Sequence, residues 1–390
     1  MDDTKATVAP ERAVGRAPVT GRIRELDGLR GIAILLVMVF HGGLICGLDR
    51  LPFAALVDWG WVGVDLFFVL SGFLITTILL RTRDQPGYFR SFYLRRILRI
   101  FPAYYATWVL VFGLAPLLSP TFSTALDGDE MLLHALWLQN WDVALSNAWP
   151  NWFFISHFWS LAVEEQFYLI WPAVVLLVPP RWLAAVCIAV CLSAIALKVA
   201  LLRVDGMTLF IYASTLTRMD GLALGSLTAC VLQWRAVPRW GGLVASLGAA
   251  AALAVFLLAV VLEPGMSLRE NVLGNVCIST ITAAIIFWIA TGRMPVYGKV
   301  LLRGRCLQWL GSRSYSLYLI HFPVAGLLYE PAANLIQAQM TVAPSVTMLG
   351  FTLGYGALSG LLAEALFRGI ELPVLRRKDR VAPLPAATVA

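Results

Sequence analysis

The apolar residues of this chain fall into long blocks that are bounded by charged residues or by Pro and Gly. Each block has about 18 to 23 residues, the length at which a helix crosses a bilayer. The pattern predicts an all-α, polytopic integral membrane protein with about ten transmembrane helices. They lie near residues 31–48, 59–80, 101–118, 158–178, 183–201, 215–233, 241–262, 271–291, 313–330 and 345–367.

Two tails and one short stretch do not follow this pattern. Residues 1–20 are rich in Pro and Ala and aperiodic, which predicts a disordered tail, and residues 377–390 form a second tail after a membrane domain over 21–376. Residues 131–147 are helical in pattern but short, and they contain several polar residues. We therefore expect them to lie on the membrane or to re-enter it.

Composition and charge support a membrane protein with both termini in the cytoplasm. With 59% hydrophobic and 14% charged residues, the chain has too few charges to cover a soluble surface. Ten spans with an inner N-terminus place 25 of the 30 Lys and Arg residues on the cytoplasmic side, as the positive-inside rule requires. This asymmetry and attraction to anionic lipids account for the net charge of +7 without a nucleic-acid partner. We predict a bacterial-type inner (cytoplasmic) membrane protein.

The six cysteines lie mostly in apolar segments without a CxxC pair or a neighbouring histidine. They are typical of small core residues, so we expect neither a metal site nor a bound cofactor.

The first span contains the most informative pair of polar residues, Arg30 and His41. Eleven positions are almost three turns of helix, so both side chains project from one face about 16 Å apart. This spacing places His41 near the bilayer midplane, where an ionisable group is costly and usually functional. A hydrogen-bonded structural histidine is the alternative.

A second informative stretch is YFRSFYLRRILRIFPAYY, residues 88–105. Read as a helix, it places Phe89, Tyr93, Ile97 and Ile100 in one sector. Arg95, Arg96 and Arg99 then share the adjacent sector. The pattern predicts an amphipathic helix on the cytoplasmic surface. Its arginines suit either lipid headgroups or the phosphates of a cytoplasmic ligand, and the residues alone do not choose between these two partners.

Further polar residues lie inside the predicted spans. In the second span, Asp65 needs a partner, and Ser71 is more typical of a hydroxyl bonded to its own helix than of a nucleophile. In the fourth span, Glu164 and Glu165 point about 100° apart. We therefore expect that the two carboxylates do not both face the same cavity squarely, and that one takes part in chemistry while the other is a structural partner.

Two more positions carry polar groups at depth. Arg218 and Asp220 in the sixth span are two buried charged residues close together in the sequence, and a mutual ion pair is the simple interpretation. His321 lies about two turns into the ninth span, with Tyr318 three residues before it. A structural, hydrogen-bonded role for His321 is at least as well supported by this spacing as a catalytic one.

Taken together and in order, these motifs resemble the acyltransferase-3 family of integral membrane O-acyltransferases. The resemblance rests on Arg30 with His41 eleven residues on, then DLFFVLSGFLI, RRILRIFPAYY, FWSLAVEEQFYLIWP, RMDGLALGSL and SYSLYLIHFP. It covers about residues 24–372. It implies a ten-span enzyme that transfers an acyl group, usually acetyl from acetyl-CoA, to hydroxyls of glycans, lipid-linked sugars or glycosylated metabolites.

The resemblance also implies roles for individual residues. His41 would be the general base on the acceptor hydroxyl, with Glu164 orienting or stabilising its imidazole; an acyl-histidine intermediate is an alternative route. Arg30, Arg95, Arg96 and Arg99 would hold the phosphates of acyl-CoA as co-substrate. A non-enzymatic transporter and a lipid- or partner-binding scaffold are the rival hypotheses, and the acceptor is open between a surface glycan and a sugar-bearing metabolite.

Overall fold

The computed structural model describes residues 23–46, 57–118, 128–151, 153–233, 240–262, 268–339 and 344–381. Within these ranges the chain forms helices and turns without any strand. The predicted tail over 1–20 and residues 382–390 of the second tail lie outside the described residues.

The helices of the first half begin at α1 and follow the predicted order. They are α1 (Arg24–Cys46), α2 (Val62–Thr82), α3 (Tyr88–Val109), α4 (Gly128–Ala135), α5 (Gln139–Ser146), α6 (Trp159–Leu177), α7 (Pro180–Leu201) and α8 (Thr208–Ala213). Short 3-10 turns over Trp59–Trp61 and Phe153–Phe158 precede α2 and α6.

The second half continues with another eight helices. They are α9 (Thr215–Gln233), α10 (Gly241–Leu262), α11 (Leu268–Ala290), α12 (Val296–Leu302), α13 (Arg305–Ser312), α14 (Ser314–Gln339), α15 (Pro344–Leu366) and α16 (Leu372–Val381).

The all-α, polytopic membrane architecture predicted from the sequence is confirmed. Each of the ten predicted spans overlaps one of these helices. Within the described residues, seven helices are long and apolar enough to cross a bilayer, namely α1, α2, α3, α6, α7, α10 and α11. A total of ten spans and the cytoplasmic position of both termini stay predictions.

Helix α1 begins at Arg24, seven residues before the predicted span, because its charged first turns are paired. Glu25 lies 2.7 Å from the Arg303 guanidinium after α12, and Asp27 lies 3.8 Å from Arg30. His41 is therefore 17 residues into a 23-residue helix, about 25 Å from its start. This places it nearer the end of α1 than the middle, and its depth in the bilayer stays a prediction.

The arginine-rich surface helix and the third span, which the sequence analysis separated, are one continuous helix. Helix α3 starts after Gly87, includes Pro102, and continues through a wider π turn over Leu110–Leu114 into Ala115–Leu118. Its arginines are consequently fixed rigidly relative to the membrane-embedded part.

The stretch over 131–147 forms α4 and α5, two helices of eight residues each. A helix of that length rises only about 12 Å and cannot cross a bilayer. Their polar groups serve the fold: buried Asn140 donates to Thr215 Oγ1 at 3.0 Å and accepts from Gln166 Nε2 at 2.8 Å. His134 bonds to the Glu130 carbonyl through Nδ1, and burial lowers its pKa to about 4.

Helices α2 and α9 cross at very close range in the centre of the bundle. A Cβ atom on Gly72 would overlap the Leu222 carbonyl oxygen, and one on Gly225 would overlap that of Val69. Close backbone approach of this kind is typical of small residues at membrane helix interfaces. The crossing fixes α2, and with it Ser71 and Asp65, against the rest of the bundle.

Candidate active site

Arginines from three helices surround a cavity of about 450 Å³. Arg30 comes from α1, Arg81 from the end of α2, and Arg95, Arg96 and Arg99 from α3. The structure thus brings together all four arginines that the sequence analysis assigned to acyl-CoA. Converging guanidinium groups are suited to a polyanion such as a nucleotide phosphate.

The orientation of α3 shows which way these arginines face. Phe89 and Ile97 are among the exposed apolar side chains, at 39% and 43%, whereas Arg95, Arg96 and Arg99 are half-buried and line the cavity. Phe89 and Ile97 therefore lie on the outside of the protein, Phe92 and Ile100 are buried in the core, and the three arginines face the cavity. This orientation favours an enclosed anionic ligand over lipid headgroups.

A second, narrower pocket of about 90 Å³ adjoins this cavity. The two share Arg30, Ser71, Arg96, Arg99 and Tyr168 as wall residues, so they lie side by side. The narrow pocket is further lined by both glutamates of α6 and by Ser160 and Tyr318. The glutamates of α6 therefore lie close to the arginine cavity.

Glu164 is held in the narrow pocket by two neighbouring hydroxyls. Ser71 donates to its Oε1 at 2.6 Å and Tyr168 to its Oε2 at 3.1 Å, and Tyr168 also donates to Ser71 at 3.0 Å. The expectation that Ser71 bonds back to its own helix is wrong, because the carboxylate across the pocket is a stronger acceptor than a backbone carbonyl.

Both glutamates line the narrow pocket, and that only one of them takes part in chemistry stays a prediction. The pocket is wide enough to contact two adjacent positions of α6. They differ in their surroundings, since Glu165 makes no side-chain hydrogen bond within the described residues, while Glu164 accepts two.

Three histidines form a cluster deeper in the bundle. The Nδ1 atom of His41 lies 2.9 Å from Nε2 of His321. The ring of His157 is centred 5.8 Å from that of His41 and 4.9 Å from that of His321. Phe322 stacks on the His41 ring at 4.1 Å. His157 and His321 are buried and His41 is half-buried.

Tyr318 connects this histidine cluster to the narrow pocket. Its carbonyl oxygen accepts from His157 Nε2 at 2.8 Å and from His321 Nδ1 at 2.9 Å. Its hydroxyl lies 2.5 Å from Ser160 Oγ, and both side chains line the pocket. The inner end of the pocket is therefore made by residues in direct contact with the cluster.

The structure does not bring Glu164 to His41. The carboxylate bonds to Ser71 and Tyr168 in the pocket, whereas the His41 ring bonds to His321. The predicted role of Glu164 in orienting the imidazole therefore has no support in the geometry. The residue in position for that role is His321.

The two charged residues of α9, Arg218 and Asp220, form ion pairs with residues on other helices rather than with each other. Arg218 lies 2.5 Å from Asp65 of α2, and Lys198 of α7 lies 2.6 Å from Asp220. The expected Arg218–Asp220 pair is wrong, because residues two apart on a helix point in nearly opposite directions. Asn275 also donates to Asp65 at 2.9 Å, so these pairs join α2, α7, α9 and α11.

The sequence analysis did not select His157 or Ser160, although both lie in the stretch that supplied Glu164. The chain has only four histidines, and a histidine directly before an apolar helix was the available signal. Within the described residues, no group of His, Cys, Asp and Glu side chains is arranged to hold a metal ion.

Comparison with known proteins decides the family. The acyltransferase-3 model, described as an acyltransferase domain, matches residues 23–359. The chain belongs to the acyltransferase-3 family. The match includes the arginine cavity, the narrow pocket and the histidine cluster. No solved structure matches the chain.

Several curated bacterial proteins are similar to this chain. The peptidoglycan O-acetyltransferase OatA of Listeria monocytogenes is 29% identical over 90% of this chain and 56% of its own length. The putative peptidoglycan O-acetyltransferase YrhL of Bacillus subtilis is 32% identical over 77% of this chain and 48% of its own length. A putative O-acetyltransferase of Staphylococcus aureus is 27% identical over 93% of this chain and 60% of its own length. The chain thus spans about half the length of these relatives.

Proposed function

We propose that this protein is a membrane O-acetyltransferase of the cytoplasmic membrane, which moves an acetyl group from cytoplasmic acetyl-CoA to a carbohydrate hydroxyl. The observation that carries the proposal is the side-by-side arrangement of three features. They are the cavity lined by Arg30, Arg95, Arg96 and Arg99, the narrow pocket behind it, and the histidine cluster beyond the pocket.

The arginine cavity supplies the binding site for the CoA phosphates. Four half-buried guanidinium groups on two helices match a ligand with several phosphate groups at one end and a long, thin arm at the other. The cavity of about 450 Å³ takes the bulky nucleotide end, and the pocket of about 90 Å³ takes the thin pantetheine arm. About 16 Å of helix separates Arg30 from His41, a span that an extended arm covers.

His41 acts on the acceptor at the end of this route. Its imidazole takes the proton of the acceptor hydroxyl as the oxygen attacks the thioester carbonyl carbon. The bond from carbon to sulfur then breaks, the ester forms, and the leaving CoA thiolate takes the proton back from the imidazolium. An imidazole suits both transfers because it exchanges protons near neutral pH.

Glu164 acts on the substrates in the pocket rather than on His41. Its carboxylate is oriented by Ser71 and Tyr168, which leaves its remaining lone pairs for an amide of the pantetheine arm or a hydroxyl of the acceptor. Arg30, Ser71 and Tyr168 line both spaces and join the donor end to the reacting end.

The acceptor is a hydroxyl of a carbohydrate-containing molecule. Two of the similar proteins are named for peptidoglycan, a glycan. His41 lies toward the far end of α1 from Arg30, so donor and acceptor approach the reacting atoms from different ends of the bundle.

The direct test is an acetyl-transfer assay on the purified protein in lipid vesicles. We expect saturable binding of radiolabelled acetyl-CoA and release of free CoA thiol when glycan acceptors are supplied. Binding without thiol release, together with passage of label across the vesicle membrane, would instead support a transporter. Mass spectrometry of the glycans of cells with and without the gene would identify the acetylated acceptor.

A further inference from the structure

The hydrogen bonds around His321 determine which of its ring nitrogens carries the proton. Its Nδ1 atom lies 3.0 Å from the Leu317 carbonyl oxygen and 2.9 Å from that of Tyr318. Carbonyl oxygens only accept, so Nδ1 of His321 must be the donor. In a neutral imidazole the other nitrogen is then a bare acceptor, which here is Nε2.

That acceptor, together with the Val37 backbone carbonyl one turn earlier on α1, to which the His41 ring also bonds, determines the tautomer of His41. Nε2 of His321 lies 2.9 Å from Nδ1 of His41, so Nδ1 of His41 must carry a hydrogen and donate it. The free lone pair of the His41 ring is consequently on Nε2. Nδ1 is used in the contact with His321, and Nε2 is left for a substrate proton.

The surroundings of the pair favour neutral rings, which this argument requires. The groups that face His321 are the rings of His41, His157, Tyr318 and Phe322 and two backbone carbonyls. No carboxylate in the described part of the chain bonds to any of the three clustered histidines. A buried imidazolium would therefore lack a counter-charge.

His321 is also rigidly placed. Its side chain is completely buried, and its two carbonyl partners belong to the preceding turn of its own helix, α14. Phe322, the next residue, stacks on the face of the His41 ring. Helix α14 thus fixes both the plane and the tautomer of His41.

We infer that His321 is a positioning residue, which holds His41 in the Nδ1-protonated tautomer and leaves Nε2 as the atom that takes the acceptor proton. The catalytic part of this inference rests on the proposed function, while the tautomer itself does not. An equivalent arrangement of hydrogen bonds orients the general-base histidine in other enzymes, where a wrong tautomer is costly.

The tautomer is measured by solid-state ¹⁵N NMR of protein labelled at histidine, in lipid vesicles at neutral pH. Only four histidines contribute signals, and each is assigned by its loss in a single variant. We expect protonated Nδ1 in His41, His321 and His134, and protonated Nε2 in His157, whose Nε2 faces the Tyr318 carbonyl. A wild-type spectrum with His41 protonated at Nε2 overturns the inference.

Two matched variants test the effect on turnover. The amide of Gln reaches the position of the histidine Nε2 atom, so His321→Gln still presents an acceptor to His41. The shorter amide of Asn reaches only the position of Nδ1. We expect His321→Asn to lower kcat by about 10²-fold or more, with the KM for acetyl-CoA unchanged, and His321→Gln to recover most of the loss. Equal kcat losses in both variants would contradict positioning through the acceptor atom.

The two readouts separate this inference from the proposed function. If the wild-type protein shows the expected tautomers but His41→Ala turns over normally, the proposed catalytic role of His41 fails and the tautomer assignment stands. If His41→Ala is inactive but wild-type His41 carries its hydrogen on Nε2, the positioning inference fails and the proposed function stands.

Discussion

The Nδ1 atom of His41 and the Nε2 atom of His321 lie 2.9 Å apart, although 280 positions separate them in the sequence. The contact joins α1 to α14, two helices that pack directly on each other. It gives His41 an imidazole as its orienting partner and leaves Glu164 free to act in the pocket that adjoins the arginine cavity. The predictions below test each part of this arrangement.

Removing an arginine from the cavity should weaken donor binding selectively. We expect Arg95→Ala and Arg99→Ala each to raise the KM for acetyl-CoA by about tenfold, the value of one lost charge-assisted hydrogen bond, with the KM for the acceptor unchanged. Higher ionic strength should raise the wild-type KM more than that of the variants. Arg90 is exposed on the same helix and does not line the cavity, so Arg90→Ala is the control. Equal effects of all three would indicate a membrane-surface role.

The two adjacent glutamates should differ in their effect on turnover. Glu164→Gln disturbs a carboxylate that two hydroxyls orient, so we expect kcat to fall by about 10². Glu165→Gln should lower kcat by less than about tenfold, because no side chain in the described residues forms a hydrogen bond that orients this carboxylate. Steady-state kinetics and thermal melting of both purified variants check this. A similar kcat loss in the two proteins would show that the pair acts through the fold.

The crossing of α2 and α9 should tolerate no added methyl group. Gly72→Ala and Gly225→Ala force the two backbones apart, and we expect each to lower the unfolding free energy by about 1–3 kcal/mol. A Cβ atom on Gly356 of α15 would meet nothing within 4 Å, so Gly356→Ala should be neutral or slightly stabilising. Thermal unfolding in detergent measures all three. An unchanged melting temperature for Gly72→Ala would contradict the close approach.

Removing one partner of the buried Asp65–Arg218 ion pair should destabilise the protein more than replacing both partners by apolar residues. Arg218→Met leaves Asp65 charged and buried without its main partner, and we expect the free energy of unfolding to fall by about 3–5 kcal/mol. The double variant Asp65→Leu/Arg218→Met should recover a large part of that loss. Arg368, which is 72% exposed in its pair with Glu364, supplies the control Arg368→Ala, expected to cost less than about 1 kcal/mol. A double variant less stable than Arg218→Met would contradict a purely structural pair.

The helices could be predicted from the sequence because a bilayer requires long apolar runs, and these are local properties. The grouping of Arg95, Arg96 and Arg99 also followed from helical periodicity within one segment. That Arg30 joins them was expected only from the family resemblance, since it depends on where the bundle places α1 and α3 relative to each other.

The partners of the buried polar groups could not be predicted for the same reason. Arg218 bonds to Asp65 across 153 positions, and His41 bonds to His321 across 280. No periodicity links residues on different helices, so the sequence analysis assigned partners that were near in the chain, such as Asp220 for Arg218. His157 was missed because its role depends on the carbonyl of Tyr318, which belongs to another helix.

The central claim, that His41 is the general base, is tested most directly by measuring turnover and acetyl-CoA affinity of purified His41→Ala in lipid vesicles. The account predicts a kcat at least about 10² lower than in the wild type, the low end of what a positioned base contributes. The Kd for acetyl-CoA should change by less than about twofold, because the phosphate-binding arginines begin about 16 Å away along α1. A His41→Ala protein that turns over at the wild-type rate would contradict the account.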